Sequence, residues 1–255
     1  MTAAARAALG WLPPVVLGSV MIAGWQALVV GADIKPYLLP SPTAIAAQVG
    51  ALAPLIWTAA VATGSNVLVG LVVGTVVAIG AAIAATHGRL VDALMSPTAA
   101  AVSVMPIVAL APALNTMFGT TSTTPRRMIV AVVVFVPVFV NTLRGLREVQ
   151  PVHRDLLRAY AATPRQITRT LTIHGSLPFL FTGLRIASST AVISAVVAEY
   201  FGGLQNGLGS RITAAASNSA YARAWAYVLG AIALGLVFYL ATLALERVVA
   251  RRHGR

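Results

Sequence analysis

The chain has 255 residues, of which 58% are hydrophobic and only 9% charged, whereas a water-soluble domain carries about 25% charged residues, so most of this chain is solvated by lipid. Cysteine is absent, which excludes disulfides, thiolate metal sites and a cysteine nucleophile. The net charge of +12 does not mark a nucleic-acid surface, because the basic residues flank apolar spans and form no stripe with interleaved aromatics.

Crossing about 30 Å of hydrocarbon takes about 20 apolar residues, and lipid offers the backbone no water, so each span must be helical. The first predicted span is Trp11 to Gly31. It is longer than a signal-peptide core and is expected to be a retained helix. Next comes ADIKPYLLPSPTAIAAQ, where Pro36, Pro40 and Pro42 predict an extended lead-in and then a short amphipathic helix. The second span lies within Ile56 to Thr86 and holds a Gly70/Gly74 pair, spaced for close helix packing. A short turn, Thr86 to Asp92, leads to a third span from about Met95 to Phe118, expected to be broken at Pro106 and Pro112. A polar loop, Gly119 to Arg127, precedes the fourth span, Met128 to Leu143. That span is short, but arginine pairs on both sides have stems long enough to snorkel. The long polar segment Arg144 to Pro178 follows, then a fifth span, Phe179 to Phe201. A glycine-rich turn, Gly202 to Ile212, leads to the sixth span, Trp225 to Val249. The tail ERVVARRHGR is read as a topology anchor.

This count places Arg6, Arg89, Arg144, Arg147, Arg154, Arg158, Arg165, Arg169, Arg247, Arg251, Arg252 and Arg255 on one side. Lys35, Arg126, Arg127, Arg211 and Arg223 fall on the other, and Arg185 lies inside the fifth span. The richer side is cytoplasmic, so both termini are expected inside.

The segment DLLRAYAATPRQITRTLTIHGSLP, Asp155 to Pro178, is a polar island in this apolar chain. Thr163 before Pro164 predicts an N-cap with proline at the first helical position. Arg165 and Arg169 fall at i and i+4 on one face, and Arg154 and Arg158 repeat that spacing. Two readings stand on physics alone: a grip for a soluble partner, or an interfacial helix touching anionic headgroups.

The island resembles the signature loop of permease subunits of ATP-binding-cassette (ABC) importers. That loop reads EAA, three residues, glycine, then about nine residues to an apolar–x–leucine–proline end. Asp155 stands at the glutamate position and Ala161 at the glycine position; Ile173 is the apolar residue, and Leu177 and Pro178 close the motif after a spacer longer than the family's. Ala159, Ala162, Thr163, Pro164 and Arg165 complete the expected ATPase-coupling loop. Leu156 and Leu157 replace the two alanines, Ala161 replaces the glycine, and His174 replaces a proline common in relatives. Leu38 to Ile45, Met105 to Leu114, Val134 to Pro151 and Gly183 to Gly209 resemble, in order, segments of the nitrate, sulfonate and taurine branch.

The resemblance implies an all-α membrane protein of about six transmembrane helices with the type I ABC importer permease fold. It implies one transmembrane permease domain over residues 1–255, with a cytoplasmic coupling loop at about 144–178, in the cell membrane. It further implies a second permease, either another copy of this chain (a homodimer) or a close relative, ABC ATPase subunits on the cytoplasmic loops and an extracytoplasmic substrate-binding protein. ATP and Mg2+ belong to the partner ATPase and no cofactor to this chain. A phosphate-binding GxxxxGK[ST] loop needs a lysine, and the sole lysine, Lys35, lies on the external side. The expected lever between motor and span is a short capped helix between Pro164 and Pro178. The cargo implied is a small polar solute: nitrate, a sulfonate or taurine, or a thiamine-precursor pyrimidine or riboflavin.

Polar residues inside spans are functional candidates. Arg185 and Glu199 are about 21 Å apart along one helix and cannot pair there. Arg185 is expected to snorkel to the cytoplasmic headgroups. Glu199 is a gate or a structural anchor. Ser188, Ser189, Ser194, Glu199, Asn115 and Asn141 are candidate translocation-path residues, and the hydroxyl and amide groups equally suit helix–helix hydrogen bonds. His87, His153, His174 and His253 lack metal-ligand spacing, so no metal is assigned. The rival reading, a self-contained secondary transporter or channel, calls for ionisable relays near mid-membrane, and almost none are present.

Overall fold

A computed structural model describes residues 3–148 and 151–252, and every regular element among them is helical. Positions 149–150 of the predicted coupling loop and 253–255 of the tail, including His253 and Arg255, lie outside the described residues.

Helix α1 spans Ala3–Gly31. Helix α2 runs without interruption over Pro42–His87, 46 residues. The expected short amphipathic helix ahead of a separate second span is therefore corrected to one rod. Ser41 is extended and accepts from the Ala44 N–H at 3.3 Å, and Pro42 opens the helix, so the proline lead-in nucleates α2 directly. At about 69 Å, α2 is more than twice the hydrocarbon thickness of about 30 Å.

The third predicted span is two helices in tandem, α3 (Arg89–Ser103) and α4 (Ile107–Phe118). The break falls at Pro106 alone. Pro106 is extended (ψ 110°) just ahead of α4, whereas Pro112 sits inside α4, where it removes one backbone bond and leaves the rest. Helix α5, Thr124–Arg147, is longer at both ends than predicted and takes the flanking arginine pairs into itself.

The coupling region also departs from expectation. Helix α6 covers Pro151–Ala159 and α7 covers Pro164–Ile167. A π-helical turn at Thr168–Thr172 then joins α7 to α8, Ile173–Tyr200. The capped helix at Pro164 does not stop at Pro178. It is the first turn of a 37-residue helix, Pro164–Tyr200, about 55 Å long. Gly202 and Gly203, at φ 109° and 87°, end it in a conformation that side chains rarely adopt. Helices α9 (Leu208–Ser217) and α10 (Tyr221–Arg252) complete the chain. Helices α1, α2, α5, Pro164–Tyr200 and α10 are each long and apolar enough to cross a membrane.

The core lies where α2, α5 and α8 meet. Lipid is as apolar as leucine, so these helices associate through close packing rather than through hydrophobic exclusion from water. Small side chains supply it: Ala78, Ala82, Val130, Val134, Ala187, Ala191 and Ala195 are fully buried. A Cβ on Gly70 would lie 2.5 Å from that of Val130, and one on Gly74 would lie 2.5 Å from the Ala131 carbonyl oxygen. Gly183 does the same for α8 on α5, where a Cβ would meet the Pro137 carbonyl at 2.8 Å. The outer faces of α1 and α10 expose Leu17, Val20, Met21, Leu236, Val237 and Leu240, as lipid contact requires.

Candidate coupling helix and translocation groove

Helix α6 has no buried residue, yet it carries an apolar stripe. Val152, Leu156 and Tyr160 recur every four residues and are 73%, 52% and 78% exposed. Arg154 and Arg158 share the helix, and Asp155 pairs with Arg158 at 3.5 Å. An amphipathic stripe on an exposed helix is the form that docks into a groove on a partner.

Ala159 ends α6, and Ala161 lies just beyond it at φ 56°. The Ala162 N–H donates to the Leu157 carbonyl at 3.0 Å, and the Ala161 N–H donates to the Arg158 carbonyl at 2.9 Å. These two bonds make a Schellman cap, whose left-handed position favours glycine. The glycine that the resembled signature loop carries at this position would hold this conformation without strain. Thr163 then opens α7 with a complete capping box, in which its side chain accepts from the Gln166 N–H while Gln166 accepts from the Thr163 N–H at 2.7 Å. Pro164 is the first helical residue, as predicted, and Arg165 is exposed beside it. His174 Nδ1 hydrogen-bonds the Arg169 carbonyl at 2.8 Å across the π turn. Ile173, half exposed, starts α8, and Leu177 and Pro178 lie inside it, bordering a cavity of about 460 Å3 between α5, α8 and α10.

Two polar ties cross between helices, one midway along α8 and one at its C-terminal end. Midway along α8 Arg185 donates to both carboxylate oxygens of Glu246 on α10, at 2.8 and 2.6 Å. The predicted snorkelling of Arg185 is corrected to this ion pair. At the external end Glu199 is fully enclosed. Its carboxylate accepts from the Thr63 hydroxyl of α2 at 3.0 Å and from the Gly209 N–H of α9 at 2.8 Å, and Arg126 of α5 lies 3.8 Å away. Thr63 in turn accepts from the Leu208 N–H at 2.9 Å. Arg126 donates to Asn206 at 3.1 Å and to the Leu204 carbonyl. Arg127 reaches Asn66 of α2 at 3.2 Å. Sequence reasoning missed Arg126, Thr63, Asn66, Asn206 and Glu246. The signal open to it was the few acidic residues, Glu199 and Glu246, set among arginines in an otherwise apolar bundle.

A groove runs between α3–α4, α5 and α8. Its membrane-depth part, about 360 Å3, is lined by Val102, Ser103 and Met105 beside the Pro106 break, by Val136, Val140 and Asn141, and by Ile186 and Thr190. It continues through Ser103, Val136 and Val140 toward Arg144, Arg147 and Glu148 at the cytoplasmic end, where Arg147 pairs with Asp92 at 2.7 Å. Asn141 borders the groove, its amide N–H donating to the Pro137 carbonyl at 2.8 Å. Ser188 and Ser194 are buried and bond back to their own helix, at Arg185 and Thr190, and Ser189 is half buried on the same helix. Asn115 reaches the Phe201 carbonyl at 3.4 Å.

Residues 70–254 match the family described as the binding-protein-dependent transport system inner membrane component. The chain belongs to this family of ABC importer permeases. The permease is a multi-pass cell-membrane protein, a transport subunit and not an enzyme, whose family works with an ATPase and a substrate-binding protein. It is 34% identical over 176 residues to the formylaminopyrimidine transport permease of Halalkalibacterium halodurans, covering 69% of this chain and 70% of that one. It is 28% identical to the riboflavin transport system permease of Chloroflexus aurantiacus, covering 75% and 71% of the two chains. It is 24% identical to the taurine transport system permease of Escherichia coli, covering 92% and 88%.

Proposed function

We propose that the permease, as one transmembrane domain paired with a second identical copy, forms the translocation path for a neutral, ring-containing organic solute of the pyrimidine or flavin kind. The observation that carries this reading is the lining of the membrane-depth groove: apolar side chains with Ser103, Asn141 and Thr190, and no charged side chain among the described residues that line it. An anionic cargo calls for a basic group at that depth. Arg185, the one basic residue inside a predicted span, is engaged by Glu246. The relatives named for a formylaminopyrimidine and for riboflavin support the same class, at higher identity than the taurine relative.

The test is ATP-dependent uptake in proteoliposomes holding the permease, its ATPase and its binding protein, with formylaminopyrimidine, riboflavin and taurine compared. Uptake of a ring compound is the expected result. Uptake of taurine alone refutes the cargo class, and uptake with the ATPase left out refutes the importer mechanism.

In this reading α6 and the turn to Pro164 form the seat of the ATPase, which holds the ATP and Mg2+. Pro164–Tyr200 carries its movement to the groove. The exposed stripe Val152–Leu156–Tyr160 supports it, because apolar side chains held in water on a short helix gain by docking. Asp155→Arg is expected to insert normally and to uncouple ATP turnover from uptake; wild-type uptake by this variant removes the role.

A further inference from the structure

We propose that Thr63, Arg126 and Glu199 form a latch that binds α9 and the loop before it to α8 as one rigid body, so that a binding protein outside and an ATPase inside act on a single rod. These are positioning residues. Their partners are other parts of the permease, not cargo.

Glu199 is the penultimate residue of the 37-residue helix that begins at Pro164, beside α6. Its carboxylate faces the start of α9, where it takes the Gly209 N–H, and Thr63 takes the neighbouring Leu208 N–H. A negative group at a helix N-terminus satisfies donors that the helix leaves open. A Cβ on Gly207 would collide with this carboxylate, so the turn is shaped around it. Arg126 closes the far side by holding Leu204 and Asn206 of the loop. Both charges are almost wholly enclosed, at 2% and 0% side-chain exposure. Pulling α9 and its loop away from α8 strips the buried Glu199–Arg126 pair of the Gly209 N–H, the Asn206 side chain and the Leu204 carbonyl, leaving buried polar groups unsatisfied, so displacement of one carries the other. Helix α9 is exposed on its outer side at Arg211, Thr213 and Ala214, which leaves it open to the binding protein that the family works with.

This inference rests on the importer family and not on the cargo. The test uses the complete assembly of permease, ATPase and binding protein in nanodiscs, and reads ATP turnover without and with the binding protein. Thr63→Val keeps the shape and removes the hydroxyl that serves both Glu199 and Leu208. Basal turnover is expected at the wild-type level, with stimulation by the binding protein reduced about fivefold or more. Thr63→Ser should restore it. Asn206→Ala, at the exposed rim, is expected to give a smaller loss in the same direction, and serves if Thr63→Val does not assemble. Stimulation unchanged in both variants overturns the latch, and so does an equal fall of basal and stimulated turnover. An error in the cargo class shows differently, as a wild-type assembly that the chosen solute fails to stimulate.

Discussion

Replacing Ala161 with glycine is expected to tighten the end of α6. Ala161 sits at φ 56°, and a left-handed conformation costs an L residue about 1–2 kcal/mol. Glycine removes that strain and gives back about 0.5–1 kcal/mol through the greater freedom of its open chain. The net gain is about 1 kcal/mol, close to a fivefold shift in the closing of the cap at room temperature. The groups that report it are the Tyr160, Ala161 and Ala162 amides, bonded to the Leu156, Arg158 and Leu157 carbonyls. Hydrogen exchange on the permease in nanodiscs, without its ATPase, should show the peptide covering these amides protected about fivefold more in Ala161→Gly. Ala161→Val, β-branched at the same position, should exchange faster than wild type. Equal or faster exchange in the glycine variant would falsify the Schellman reading of this turn.

Gly74→Val is expected to destabilise the bundle by about 3 kcal/mol or more, because the new side chain meets the Ala131 carbonyl, a backbone atom that cannot rotate aside. Gly18→Ala on α1, with no atom of the described residues within 4 Å of its Cβ, should be about 0.5–1 kcal/mol more stable. Thermal melting in one detergent compares the two, and equal melting points contradict the close approach of α2 and α5. Arg185→Met strands Glu246 against apolar helices and should cost about 1–2 kcal/mol, discounted because both side chains are part exposed. Adding Glu246→Gln should recover most of the loss. Strictly additive losses in that double-mutant cycle mean the pair carries no coupling.

The residues that spoke clearly in the sequence are those whose signal is local. Apolar length marked the spans, and the arginine bias marked their sides. The Thr163–Pro164 pair foretold a cap that forms within four residues. The errors arose where a local sign had two structural meanings. Pro36, Pro40 and Pro42 read as an extended lead-in, yet Pro42 at a helix start is also a nucleus, and α2 grows from it for 46 residues. Pro178 read as a boundary, yet a long helix already paired with its neighbours absorbs the loss of one bond. The π turn at Thr168–Thr172 was hidden because one extra residue per turn leaves no mark in an apolar pattern.

Chain chemistry therefore dictated a helical membrane protein and a polar, arginine-rich island with a capped helix start, since span length, charge bias and capping act over a few residues. The choice of partner for each buried charge belonged to the fold. Thr63 and Glu199 lie 136 residues apart, and Arg185 and Glu246 lie 61 apart. Only the packing of α2, α5, α8 and α10 brings them within reach, because low-dielectric surroundings compel every enclosed charge to find a counter-group wherever in the chain it resides.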